Sequence, residues 1–164
     1  MTRLALALLF VTVGGCADAE LDSAPRFKAE PEGFSCILPD DWQLTRDRGA
    51  VILTSTENRR HTLVVRSVPL SASRDSANIL ADTEIVLQGL PGVELEGTRE
   101  LTGALPSTEY RLTFVPPTSS ERFRRRHVVL RGTSRVFHVI ETAPSTVETE
   151  DVVTPFVSTM REEV

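Results

Sequence analysis

The 164 residues hold few side chains with nucleophilic or ligating chemistry: two cysteines, three histidines and a scatter of carboxylates. Cys36, Asp40 and a histidine supply the residue types of a thiol, imidazole and carboxylate triad, in which a thiolate attacks and the imidazole carries the proton. Such a thiol needs exposed, electropositive surroundings. Cys36 instead lies between Phe34 and Leu38 at the two-residue period of a strand, which points it into a core as a small apolar residue. An intermolecular disulfide or a reactive thiol is its alternative role. His61, His127 and His138 fall on three separate predicted strands, without the short helical spacing that zinc sites favour. The Gly-x-Ser-x-Gly elbow, the P-loop and the dinucleotide glycine pattern are absent from the sequence. The expectation is therefore no catalytic residue, no cofactor and no metal.

The densest charge is the run Arg122-Phe123-Arg124-Arg125-Arg126-His127. On a strand, Arg122, Arg124 and Arg126 share one face while the residues between them take the other, so the three form a basic ridge. Each arginine near an anionic surface contributes about 1 kcal/mol, which would suit lipid headgroups or an acidic partner. The competing use is cross-strand pairing with Glu109 or Glu141, and a solvated, paired face is the ordinary fate of such a run.

The other cysteine has a different setting. Arg3 precedes an apolar run at residues 4–13, and Gly14, Gly15 and Cys16 follow. A positive start, an apolar run of this length and small residues at its end make an export signal. A spanning helix needs about 20 apolar residues, and this run stops before Asp18 and Glu20. Val13-Gly14-Gly15-Cys16 resembles the bacterial lipobox. That resemblance implies diacylglycerol on the Cys16 thiol, cleavage of residues 1–15 as a signal peptide, and acylation of the new amino terminus. Burial at about 0.8 kcal/mol per methylene makes two or more acyl chains a stable anchor. Ala17 stands where retention at the inner membrane typically uses Asp, so the expected location is the cell envelope, at the periplasmic face of the outer membrane. Membrane lipid, held through acylated Cys16, is then the first partner.

What remains after Cys16 suits one domain with a single core. The chain carries a net charge of −5, and the signal contains Arg3 and no acid, so the exported form is more negative still. That balance argues against nucleic acid as a general partner. Residues 16–32 mix Ala, Asp, Glu and Ser with Pro25 and Pro31, the composition of a tether. Fully extended, it would reach on the order of 50 Å at about 3.3 Å per residue.

The domain is expected over residues 33–164. Residues 34–38 alternate as a strand before Pro39, and Asp40, Asp41 and Trp42 read as a turn whose aromatic plugs an edge of the core. Residues 51–54 and 61–68, rich in β-branched side chains, read as a hairpin. From Asp75 to Gly89 the period lengthens: Ile79, Thr83, Val86, Leu87 and Leu90 form one helical stripe, with Asp75 as its cap. Residues 93–101, 107–115, 122–131 and 135–142 then read as four successive antiparallel strands. A closing helix carries Val153, Phe156, Val157 and Met160, with Ser145 and Glu148 as a possible capping box and Pro155 forcing either a start near Thr154 or a kink. This order predicts an α+β domain, helices packed on an antiparallel sheet of six or seven strands.

Phe34-Ser35-Cys36-Ile37-Leu38-Pro39-Asp40-Asp41-Trp42 resembles the opening strand and Pro-x-x-Trp turn of the DcrB/PsbP-like superfamily, which includes Mog-type and LpqN-like proteins. Phe156-Val157-Ser158-Thr159-Met160-Arg161 is similar to its closing helix. The resemblance implies an α/β/α sandwich around an antiparallel sheet and a habit of acting without catalysis, and it carries over no functional residue. The resulting expectation is a membrane-anchored, non-catalytic accessory module that binds an envelope protein. The alternative is a carrier or sensor of a small apolar ligand, which requires a cavity lined by residues such as Leu87, Phe114 and Phe156.

Overall fold

The computed structural model describes residues 25–90 and 92–163; the signal, Cys16 and the start of the expected tether lie outside them. In chain order the elements are β1 (Phe27–Ala29), β2 (Phe34–Cys36), β3 (Trp42–Asp47), β4 (Ala50–Ser55), β5 (Thr62–Pro69), α1 (Ser76–Gly89), β6 (Val93–Leu101), β7 (Ser107–Phe114), β8 (Phe123–Arg131), β9 (Arg135–Pro144), α2 (Val153–Thr159) and β10 (Arg161–Glu162). The α+β expectation holds, with a seven-stranded sheet in the order β3-β4-β5-β9-β8-β7-β6 and a second sheet of three, β1-β2-β10. Every pairing is antiparallel.

The strands of the large sheet carry apolar residues on both faces where they lie central. On one face Leu53, Leu63, Val65, Val128, Leu130 and Phe137 pack against Phe34 and Cys36 of the small sheet and Val153, Phe156 and Met160 around α2. On the other, Tyr110, Leu112, Val129 and Val136 meet Ile79 and Leu87 of α1. Val128 and Val129 thus serve opposite layers, as the two-residue period of a strand requires. The three residues expected to line a carrier's cavity do not share one: Leu87 and Phe114 belong to the α1 layer and Phe156 to the α2 layer, with the sheet between them.

Asp75 caps α1 by accepting a hydrogen bond from the Asn78 amide at 2.8 Å. Ile79, Thr83 and Leu87 are buried as expected, but Val86 is 59% exposed and Leu90 37%. The helix touches the sheet along a single line of every fourth residue, and Val86 is turned about 100° from Leu87. At the other end of the chain, Ser145 and Glu148 form no capping box, because residues 145–152 stay non-helical and α2 begins at Val153. Pro155 sits in the first turn, where its missing N–H is not needed.

Three strands, β1, β3 and β10, lie where none was expected. β1 falls inside the expected tether, with Ala29 fully buried, so the folded region starts near Phe27 and not at residue 33. Three residues are too few for a periodic signal. Trp42 is the first residue of β3, an edge strand, and not part of a turn only. A two-residue connection, Arg48-Gly49 with φ of 47° and 74°, joins β3 to β4 in the left-handed geometry that suits a tight hairpin.

β10 is anchored by Glu162. Its carboxylate accepts from the amide and hydroxyl of Thr133 at 2.6 and 2.7 Å and from those of Ser134 at 2.8 and 2.7 Å. Burial alone would raise its pKa, but these four donors overcome that and hold it at about 2, against an ordinary 4.5. The unfolded chain therefore binds this proton more readily, so the contribution is full above pH 4.5 and is lost as pH falls towards 2. Glu162→Gln should lower the melting temperature at pH 7 and differ little from wild type near pH 2. Thermal melts across that window check it, and a pH-independent difference would refute the linkage.

Candidate functional site

The strongest concentration of charge lies on the α2 face of the large sheet, under residues 145–152. Glu109 on β7 is fully buried. It accepts from Arg126 Nε at 2.5 Å, from Arg111 Nε at 3.1 Å and from Arg99. Arg126, on β8, continues the chain of contacts: it donates to Asp151 at 2.5 Å and to the Thr154 hydroxyl at 3.1 Å, and lies 3.9 Å from Glu141. Glu141 in turn holds His61 Nε2 at 2.7 Å, and the indole of Trp42 stands edge-on to the His61 ring at 4.7 Å.

Strand register explains the convergence. Arg99 is opposite Glu109 and Arg126 is opposite Glu141, so the two acids and two of the bases project to one face of adjacent strands. Asp151 reaches them from the crossing segment, where it also accepts from the Thr154 amide and hydroxyl at 3.0 and 2.7 Å. Burial pushes the Glu109 carboxyl up, but hydrogen bonds from Arg99 and Arg126, with the nearby charge of Arg111, bring it below its ordinary value. Burial also opposes ionisation of Asp151, which the Arg126 and Thr154 hydrogen bonds outweigh, holding it at about 2. Arg126 is held more firmly protonated despite its burial by its bonds to Asp151 and Glu109. All three are charged at neutral pH.

The crossing segment divides the surface above this network into two clefts. One, of about 310 Å³, is bounded by Arg111, Arg124, Arg126, Glu141, Thr149 and Asp151. The other, of about 360 Å³, is bounded by Asp41, Trp42, His61, Glu148, Thr149 and Glu150.

The expected ridge residues each have partners inside the chain. Arg126 is engaged with Glu109, Glu141 and Asp151. Arg124 donates to the Thr149 hydroxyl. Arg122 binds Glu94 at 2.7 Å and the Thr113 hydroxyl at 3.3 Å. Arg125, on the opposite face, lies over the Phe114 ring at 4.6 Å. The acids Glu109 and Glu141 were legible in the sequence as partners; Asp151, a loop residue, was not, and His61, read as a strand residue, stands just before β5, where its pairing with Glu141 follows from the fold.

The remaining candidates are separated by the sheet. His127 Nε2 and His138 Nδ1 lie 3.0 Å apart, and burial, with the charges of His138 and Arg125, pushes His127 down to about 3. Their strand positions alternate with Val128 and Val139, which face the α2 layer, so this pair is on the α1 side, away from His61. Cys36 is fully buried in the α2-side core, and burial raises its thiol to about 12 against the opposing charge of Arg26. It keeps its proton at neutral pH. Among the described residues, no three His, Cys, Asp or Glu side chains gather as a metal site would. Cys16 lies outside the described residues.

No protein-family model matches the sequence, and no curated protein matches it. Solved structures do resemble it. A protein from Bacteroides thetaiotaomicron VPI-5482 superposes with a TM-score of 0.63 at 13% identity over 85% of this chain and 48% of its own, so this chain spans about half the length of that protein. LpqN of Mycobacterium tuberculosis, involved in cell envelope biogenesis, superposes with a TM-score of 0.52 at 18% identity, covering 69% of this chain and 72% of LpqN. Cyanobacterial PsbP (CyanoP) from Synechocystis sp. PCC 6803 gives a TM-score of 0.49 at 14% identity, covering 82% and 88%. At such identities the likeness is one of architecture, and the chain is an α+β domain similar in fold to LpqN.

Proposed function

We propose that the chain is a lipid-anchored accessory module of the bacterial envelope, which binds another envelope protein and carries out no chemistry of its own. The observation that carries this reading is the signal at residues 3–16, ending in Val13-Gly14-Gly15-Cys16. Cys16 becomes the acylated first residue, and the segment to Pro25 spaces the fold from the bilayer. Among the described residues no helix is long and apolar enough to cross a membrane. The absence of chemistry in this reading is supported by arginines and carboxylates that neutralise one another and by a Cys36 thiol sealed in the core. The shared fold of LpqN agrees with an envelope setting.

Intact-mass spectrometry of the membrane-extracted protein tests the anchor. A form beginning at Cys16 with added acyl mass is expected, and Cys16→Ser should abolish both the cleavage and the mass. An unacylated soluble form cut elsewhere would overturn the reading. Crosslinking of the acylated protein in whole cells, with the bound protein identified, tests the partner.

A further inference from the structure

The larger cleft has a chemistry that the charge network beneath it does not. Asp40, Asp41, Glu57, Glu148 and Glu150 bound it, and no lysine or arginine does. None of these five has an ion-pair partner within 4 Å among the described residues, whereas Glu109, Glu141 and Asp151 all do. Like charges gathered around a cleft with low-dielectric walls focus a negative potential inside it. Two further groups point to a ligand. Trp42 lines the cleft with its ring edge-on to that of His61, and an indole is the aromatic group that binds cations best. His61 is 5% exposed and also lines the cleft; its Nε2 is bonded to Glu141, and Nδ1 has no hydrogen-bond partner among the described residues. That Nδ1 is not sealed as Glu32 Oε2 and Arg131 Nε are, and its ring lines the cleft. In the tautomer whose Nε2–H donates to Glu141, the ring offers a lone pair at Nδ1 to an N–H donor.

We infer that this cleft receives a basic side chain, arginine or lysine, from an extended segment of the protein partner; the inference rests on the accessory-module reading and specifies the partner's chemistry. Trp42 opens β3, the terminal strand of the large sheet, whose outer edge is unpaired among the described residues. A segment laid along that edge in strand pairing would bring its side chain to the cleft. Carboxylates, an indole face and an imidazole acceptor together match a donor-rich cation.

Trp42 is the only tryptophan in the chain, so its fluorescence reports on the cleft directly. The probe is the peptide acetyl-Gly-Arg-Gly-amide, with acetyl-Gly-Glu-Gly-amide as control. The arginine peptide should change the emission saturably, and about 0.5 M salt should weaken it several-fold. The variant Asp41→Asn/Glu148→Gln/Glu150→Gln should weaken it about tenfold, at roughly 0.5 kcal/mol per exposed carboxylate. Asn tolerates the positive φ of Asp41, so an unchanged melting temperature confirms the variant's fold. No saturable response, an equal response in the variant, or a response reproduced by calcium chloride at matched ionic strength would overturn the inference. A partner crosslinked by the wild-type chain and equally by the variant, with no peptide response, would remove the cleft and leave the accessory reading standing.

Discussion

Replacing Phe34 with alanine lowers the free energy of unfolding by about 3–5 kcal/mol, the usual range for deleting a fully buried phenyl ring. Phe34 is fully buried in β2, the middle strand of the small sheet. Its ring meets Phe27 edge-on at 6.4 Å and Phe137 of the large sheet at 6.0 Å. The substitution therefore opens a void at the seam that joins the two sheets, and the loss compares with a total of about 5–15 kcal/mol for an ordinary domain. Urea denaturation followed by Trp42 emission measures it as a fall in midpoint at unchanged slope. A loss below about 1 kcal/mol would mean that the small sheet adds little to the cooperative unit.

Glu109→Ala should cost a similar amount, about 3–5 kcal/mol, for an electrostatic reason. Removing one member of a buried ion network leaves the others without compensation. The Arg126 side chain, 14% exposed, loses the 2.5 Å partner of its Nε and keeps only half-exposed Asp151 and Glu141 at 3.9 Å, while Arg99 and Arg111, each close to half exposed, can turn to water. Arg111→Ala should consequently cost no more than about 1 kcal/mol, since an exposed partner contributes little. The ratio of the two losses, from denaturation curves under one set of conditions, is the decisive quantity. Equal effects would show that Glu109 is not the centre of the network.

Much of the architecture was legible because its signals are periodic. β6 to β9 follow from alternation and from the glycines and prolines between strands, and α1 from its longer period and its aspartate cap. The illegible parts are those that tertiary context decides. β1 and β10 are three and two residues long and exist only because β2 lies between them. Residues 145–152 carry a helix-start pattern, yet Asp151 and Thr149 are spent on Arg126 and Arg124, which holds the segment across the sheet. The arginine run was visible as a ridge with Glu109 and Glu141 as possible partners. Joining His61, Trp42 and Asp151 to it required the three-dimensional register.

The pairing of β2 with β10 bears on when this chain can fold. Ser35 lies opposite Arg161 and Phe34 opposite Glu162, while β5, completed by residue 69, must wait for β9 at residues 135–144 before it has its second neighbour. Ordering such distant segments is slow, because loop closure must come before the contacts that stabilise it. A chain threaded amino terminus first through a narrow passage would therefore reach the far side with neither sheet complete, still pliable enough to pass. Maturation into the native state then becomes a late, all-or-none event, timed by the arrival of the last strand.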